Sequence, residues 1–136
     1  MAKRRRGSRT ARTCHAHHRP FEALVERAVA SIPMPFATAL DEVAIVIADD
    51  PSADQRRENG LGPDDTLYGL YEGVPRTEWG SDGVAIPNRI TLFRLPLEED
   101  FPDPYDLADE VRITILHELA HHLGIDDARL DDLGVG

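Results

Sequence analysis

The feature that most constrains this chain is a run of histidines and acidic residues near its C-terminal end. Residues 117–127 read His-Glu-Leu-Ala-His-His-Leu-Gly-Ile-Asp-Asp, which is the pattern H-E-x-x-H continued as x-x-G-x-x-D. His117 and His121 lie four positions apart, so on an α-helix both imidazoles leave the same face, one turn apart. Two nitrogens placed in this way can bind one Zn²⁺ tetrahedrally, with positions left for a third ligand and a water. The pattern therefore predicts a helix here and one zinc ion per chain on its surface.

The other residues of the pattern each have a chemical reason to stand where they do. Glu118 follows the first histidine directly and is placed to act as general base on a metal-bound water rather than as a ligand. Gly124 can end the helix in a left-handed turn, which would bring Asp127 back toward the metal as third ligand. The alternative is an ordinary amphipathic helix whose histidines are solvated or satisfied by hydrogen bonds. We prefer the metal site, because the glycine and the final aspartate extend the pattern in the expected places.

The flanking sequence favours a helix from about residue 105 to residue 123. Asp103-Pro104 precedes this segment as a cap and first-turn pair. At about 100° per residue, one side of the helix is apolar. That stripe consists of Ala108, Val111, Ile115 and Leu119. His117 and His121 fall on roughly the opposite side, near Glu110 and Thr114, so one face is expected to pack on a sheet while the other holds the metal over a cleft.

The remainder of residues 20–136 is predicted to form one α+β domain. Residues 21–31 suit an amphipathic helix. Residues 43–47 form a β-branched run that predicts a strand buried on both faces, and residues 67–71 and 90–95 predict two more strands. Residues 84–86 are expected to be a short edge strand, and the polar residues 48–65 a loop. Trp79 is expected either to cap the core or to line a cleft.

Charge divides the chain into two unequal parts. Residues 1–19, which we call the basic arm, carry seven Lys/Arg and no acidic residue, and are predicted to be disordered. The remaining residues, which we call the acidic body, carry eight Lys/Arg against 25 acidic residues, a net charge of −17. This charge disfavours binding of nucleic acid except through the arm. Cys14-His15-Ala16-His17-His18 within the arm resembles a metal-binding tract, or is a flexible tail that binds metal adventitiously.

Compartment is predicted from what the sequence contains and lacks. Cys14 is the single cysteine, which fits a reducing compartment. The basic start is not followed by the apolar stretch of a secretory signal, and no apolar run has the length of a membrane span. A cytoplasmic protein without a membrane partner is therefore expected.

The chain resembles the small bacterial zincin-like metallopeptidases, a minimal H-E-x-x-H family, from about residue 21 to residue 133. Three segments carry the resemblance: Leu-Tyr-Gly-Leu-Tyr-Glu-Gly-Val-Pro at 67–75, Pro-Asn-Arg-Ile-Thr-Leu-Phe at 87–93, and the H-E-x-x-H motif with Asp127. The resemblance implies a small mixed β-sheet packed on the helix that bears the active site. It also implies His117 and His121 as zinc ligands, Glu118 as catalytic base and Asp127 as third ligand. The spacing is also that of metzincins, but no methionine follows the motif to form their methionine turn.

The predicted activity is zinc-assisted hydrolysis of a peptide bond in a peptide or protein substrate. Zinc would acidify its bound water, and Glu118 would take the proton and pass it to the leaving amine. Tyr68, Tyr71 and Arg89 are candidates for stabilising the oxyanion by chemistry alone. His122 beside the second ligand either supports the metal site or is a polar residue at the helix end.

Two alternatives belong to other functional classes. One is a metal-dependent endoribonuclease of the YbeY type, whose motif H-G-x-x-H-L-x-G-Y-D-H has the same ligand spacing. Here Glu118 stands in place of its glycine and Asp127 in place of its last histidine. The negative charge of the acidic body also disfavours binding of RNA. The other is a non-catalytic zinc-binding interaction module, which would have no need of Glu118.

Overall fold

A computed structural model describes residues 2–5, 18–73 and 88–132. The first half of the chain contains β1 (Ala2–Arg5), α1 (His18–Ala30), α2 (Phe36–Ala39), a 3₁₀ turn (Leu40–Glu42), β2 (Ala44–Ala48) and α3 (Ala53–Glu58). The second half contains β3 (Asp65–Glu72), β4 (Arg89–Phe93), α4 (Arg94–Asp100), α5 (Pro104–Leu123) and α6 (Asp127–Asp132).

The four described strands form one mixed sheet in the order β1-β3-β4-β2. β2 runs parallel to β4, whereas β3 is antiparallel to both β4 and β1. α5 packs on this sheet, and Ile90 and Leu92 of β4 share a buried core with Val111, Ile115 and Leu119 of α5. The predicted α+β architecture, a small mixed sheet on the helix that carries the motif, is confirmed.

The long helix α5 has the ends that its sequence predicted. The side chain of Asp103 accepts hydrogen bonds from the backbone N–H groups of Tyr105 and Asp106, and Pro104 occupies the first turn. Gly124 follows the last turn in the left-handed conformation, with φ 74°. Because Gly lacks a Cβ, it adopts this conformation without steric cost and ends the helix cleanly.

Three predicted elements differ from the structure. β2 is not buried on both faces: Ile45 and Ile47 pack against the core, but Val46 on the opposite face is 40% exposed. Its β-branched residues reflect strand propensity, and among the described strands it is the last in the order. The predicted loop 48–65 contains α3, which buries none of its residues and begins with a capping box between Ser52 and Gln55. The strand predicted over 90–95 ends at Phe93, where α4 begins with Pro96 in its first turn.

Two short parts of the basic arm belong to the described residues. Ala2–Arg5 pair with β3 as β1, and α1 begins at His18 rather than after the arm. Pairing with an exposed strand edge uses only backbone groups, so it does not require the apolar side chains that the arm lacks. Residues 6–17, the predicted strand 84–86 and Trp79 lie outside the described residues. In the part of the chain that the structure describes, no helix is both long and apolar enough to cross a membrane.

Candidate functional site

The three specified residues of the H-E-x-x-H motif differ sharply in the exposure of their side chains on α5. The side chain of His121 is half exposed, and His117 is partly buried. Glu118 lies about 100° around the helix from His117 and is completely buried. The two histidines therefore face outward, while the glutamate points toward the sheet.

Glu118 is fixed in place by the backbone of β3. The N–H of Tyr71 donates to Oε1 of Glu118 across an N···O distance of 2.9 Å. The same oxygen lies 3.8 Å from Nδ1 of His121. The backbone of β3 therefore fixes the carboxylate of Glu118 beside the imidazole of His121.

The approach of α5 to β3 depends on a glycine. A Cβ added to Gly69 would lie 2.5 Å from Cγ2 of Thr114, which no real contact permits. The helical angle of Thr114 places it near the side of the two histidines. It is nevertheless completely buried, because β3 covers it. Gly69 therefore sets the distance between the helix and the strand that holds Glu118.

A second cluster of polar side chains surrounds His122, the residue that follows the second predicted ligand. His122 is completely buried, its Nε2 lies 2.8 Å from Oε1 of Glu42, and its Nδ1 lies 3.0 Å from the hydroxyl of Tyr71. The Tyr71 hydroxyl also donates to Oδ1 of Asn88 at 3.2 Å. His122 is thus bonded through both ring nitrogens, and Tyr71 binds Glu118 with its backbone and His122 with its side chain.

The other residues proposed for the oxyanion have structural partners. The hydroxyl of Tyr68 donates to Asp100 at 2.6 Å, and its ring packs edge-on against Phe101. Arg89 is half exposed and forms a salt bridge with Glu72. Tyr71 is the candidate whose side chain and backbone both form hydrogen bonds to the motif helix.

Burial also changes the titration of one carboxylate on the motif face. Desolvation raises the pKa of Glu110 above its ordinary value, and the nearby His117 opposes this shift by charge attraction. Glu110 and His117 thus share the same face of α5, as the helical spacing predicted.

The turn after α5 leads directly to the predicted third ligand. Gly124 redirects the chain, the N–H of Ile125 donates to the carbonyl of Ala120 at 2.7 Å, and α6 begins at Asp127. Oδ1 of Asp126 accepts from the N–H of Arg129, so this neighbouring carboxylate has a local role at the start of α6. An open depression of about 320 Å³ lies beside this turn and is lined by His121, Gly124, Ile125 and Asp126.

The sequence that forms this site matches a known protein family. The family described as zincin-like metallopeptidase matches residues 40–136, which is more than half of the chain. The chain belongs to the zincin-like metallopeptidase family. No curated protein matches the chain.

Membership of this family implies zinc binding in general, and the donor set of α5 can be compared with that expectation. His117 and His121 offer two imidazoles on one helix face, as zinc requires. No group of three His, Cys, Asp or Glu residues suited to a metal is found among the described side chains, and that of Asp127 is not among them. The two imidazoles fit part of a zinc site, since they supply two nitrogen donors from one face of the helix.

Sequence reasoning did not identify two of the groups around the site. Glu42 is 80 residues from its partner His122, and no local pattern relates them. The backbone N–H of Tyr71 is equally invisible, because every residue other than proline has such a group. Tyr71 itself was singled out for its hydroxyl, which binds His122 instead.

Proposed function

We propose that this chain is a zinc-dependent peptidase that hydrolyses peptide bonds with Glu118 as general base. In this proposal His117, His121 and Asp127 hold one zinc ion. The observation that carries it is the buried carboxylate of Glu118, which the Tyr71 N–H holds beside the two histidines in a member of a metallopeptidase family. A zinc site that served only stability would have no use for a buried carboxylate next to its ligands.

When bound, zinc would polarise the scissile carbonyl and lower the pKa of a coordinated water from about 16 toward about 7. The steps assigned to the chain begin with Glu118, whose carboxylate accepts the proton of the attacking water and then delivers it to the leaving amine. Tyr71 orients that carboxylate through its backbone. His122 and Glu42 fix Tyr71 from behind, which limits the freedom of the base.

Metal content of the full chain tests the ligand assignment. We expect about one zinc per chain by metal analysis, and we expect His117→Ala and His121→Ala each to lose it. A matched variant of the basic arm, Cys14→Ser with His15→Ala and His17→Ala, should keep it. Loss of zinc from the arm variant with retention in the two helix variants would place the metal in the arm and refute the proposed site.

The reaction is tested by offering the zinc-loaded full chain an unbiased peptide library and reading cleavage by mass spectrometry. Cleavage that disappears in His121→Ala supports the peptidase. Zinc-dependent cleavage of RNA, with no cleaved peptide, would favour the ribonuclease alternative. Stoichiometric zinc without hydrolysis of either polymer would indicate a binding module.

A further inference from the structure

The outer edge of β3 is occupied by the chain's own basic arm. Ala2 pairs with Gly69, Lys3 with Leu67 and Arg5 with Asp65, in antiparallel orientation. The register shifts between Ala2 and Lys3, so β3 has one extra residue, Tyr68, at this point and forms a bulge. Bulges of this kind re-aim neighbouring side chains and are frequent beside active sites.

The same edge of β3 leads from the residues paired with β1 to Tyr71, which binds Glu118. β4 pairs with one side of β3, opposite Gly69, Leu70 and Tyr71. The Tyr71 N–H donates to Glu118 and so faces the other side, the one that β1 uses. Because backbone N–H groups two residues apart point the same way, the N–H of Gly69 faces β1 and that of Tyr71 faces Glu118 along a single edge.

The direction of β1 sets its relation to the base. Arg5 lies opposite Asp65, far from Glu118, whereas Ala2 lies opposite Gly69, two residues from Tyr71. A longer peptide paired in the same direction would pass Tyr71 and bring a backbone carbonyl beside Glu118. The residues paired with 65–69 would then lie on the C-terminal side of the cleaved bond.

The arm and the remainder of the chain carry net charges of opposite sign. The arm carries seven Lys/Arg, and the remainder of the chain has a net charge of −17. Attraction between such parts is strongest at low salt.

We propose that β1 is an intramolecular competitor of substrate, which holds the edge of β3 where extended basic peptides pair before hydrolysis. The proposal rests on the peptidase function proposed above and names its substrate class. Strand addition to a sheet edge uses main-chain hydrogen bonds, so the same edge accepts the arm and a substrate in turn. Because the arm is tethered, it competes at an effective concentration on the order of millimolar.

The test replaces Lys3 and Arg4 by proline in the full chain. Successive N–H groups point to opposite sides of a strand, so one of the two prolines removes a bond to β3 and the other obstructs the strand. The control is Arg9→Pro with Arg12→Pro, which has the same loss of charge and the same two prolines outside β1. Amide hydrogen exchange reports the edge: the Gly69 amide should exchange at least about tenfold faster in K3P/R4P, while the Leu70 amide, which faces β4, stays unchanged.

Binding is read separately from activity with a peptide of residues 2–10, labelled at its C-terminal end, by fluorescence anisotropy. K3P/R4P should bind this peptide at least about tenfold more tightly than the wild type and the control do. In peptide hydrolysis K3P/R4P should lower KM by a similar factor with kcat unchanged, because saturating substrate displaces the arm. The difference in KM should shrink at high salt.

Two results would overturn the proposal. In one, the Gly69 amide exchanges equally fast in wild type and K3P/R4P, so β1 does not hold the edge. In the other, exchange accelerates but peptide affinity and KM match the wild type, so the edge is not where peptides bind. If no variant hydrolyses any peptide, the peptidase function fails, and the exchange and anisotropy results still decide whether the arm and a free peptide compete for the edge.

Discussion

Glu118 is the residue whose surroundings say most about function. It is completely buried, yet it lies beside a half-exposed histidine and accepts a backbone hydrogen bond from another element. Motif spacing alone led to the hypothesis that it acts as a base, since the residue after a predicted ligand is rotated away from the metal. The groups that orient it were not predictable, because Tyr71 is 47 residues away and acts through its backbone.

Glu110 supplies a prediction of pH dependence. Burial raises the pKa of Glu110 in the folded protein, so the ionised carboxylate opposes folding. The folded state is therefore favoured while Glu110 is neutral, and this contribution to stability is lost as pH rises through the raised pKa. Glu110→Gln should therefore have a higher Tm than the wild type at pH 7 in metal-free protein. The difference should vanish in acid, below the ordinary pKa of 4.5. A lower Tm for the variant at pH 7 would mean that attraction to His117 outweighs desolvation.

Among the elements, α5 and β3 were the most predictable and β2 and α3 the least. α5 has a capping aspartate, a proline in its first turn, a regular apolar stripe and a terminal glycine, and all four signals agree. A β-branched run such as residues 43–47 indicates a strand but not how many of its faces are covered. α3 has no apolar face to detect, since a local capping box rather than the core holds it.

The packing of α5 on β3 yields a prediction about Gly69. Gly69→Ala would place a methyl group 2.5 Å from Cγ2 of Thr114, so the helix and the strand must move apart. We expect a loss of about 1–3 kcal/mol in the free energy of unfolding, measured by urea denaturation. Thr114→Ser removes the opposing methyl group and should restore part of the stability of Gly69→Ala. Purely additive effects in this double-mutant cycle would contradict the contact.

The end of α5 yields a prediction about Gly124. Gly124→Ala introduces a Cβ at φ 74°, which costs roughly 1 kcal/mol or more and disturbs the turn that leads to Asp127. Asparagine tolerates this conformation better, so Gly124→Asn is the matched control. Zinc affinity, measured by competition with a chelator, should fall in Gly124→Ala and be largely kept in Gly124→Asn. Equal zinc affinity in Gly124→Ala and the wild type would show that the turn does not position a ligand.

At the scale of the whole molecule, the sequence separates an acidic body from a basic arm, and the structure joins them. Composition predicted a disordered arm, because it contains few apolar side chains that could be buried. It could not predict β1, since strand pairing at an edge depends on an available partner rather than on the arm's own residues. The described fold agrees with the predicted α+β class, and Ala2–Arg5 of the arm contribute one strand to the sheet.

Hydrolysis by Glu118→Gln, compared at equal zinc content, tests the central claim most directly. The substitution keeps the size and shape of the side chain and an oxygen that can accept from the Tyr71 N–H, but removes the base. Glu58→Gln, the same change at an exposed position of α3, is the control and should behave as the wild type. We predict that Glu118→Gln retains about one zinc per chain and the wild-type Tm, while kcat for peptide hydrolysis falls by a factor on the order of 10² to 10⁴ or more. Full activity in zinc-loaded Glu118→Gln would contradict general-base catalysis by this residue.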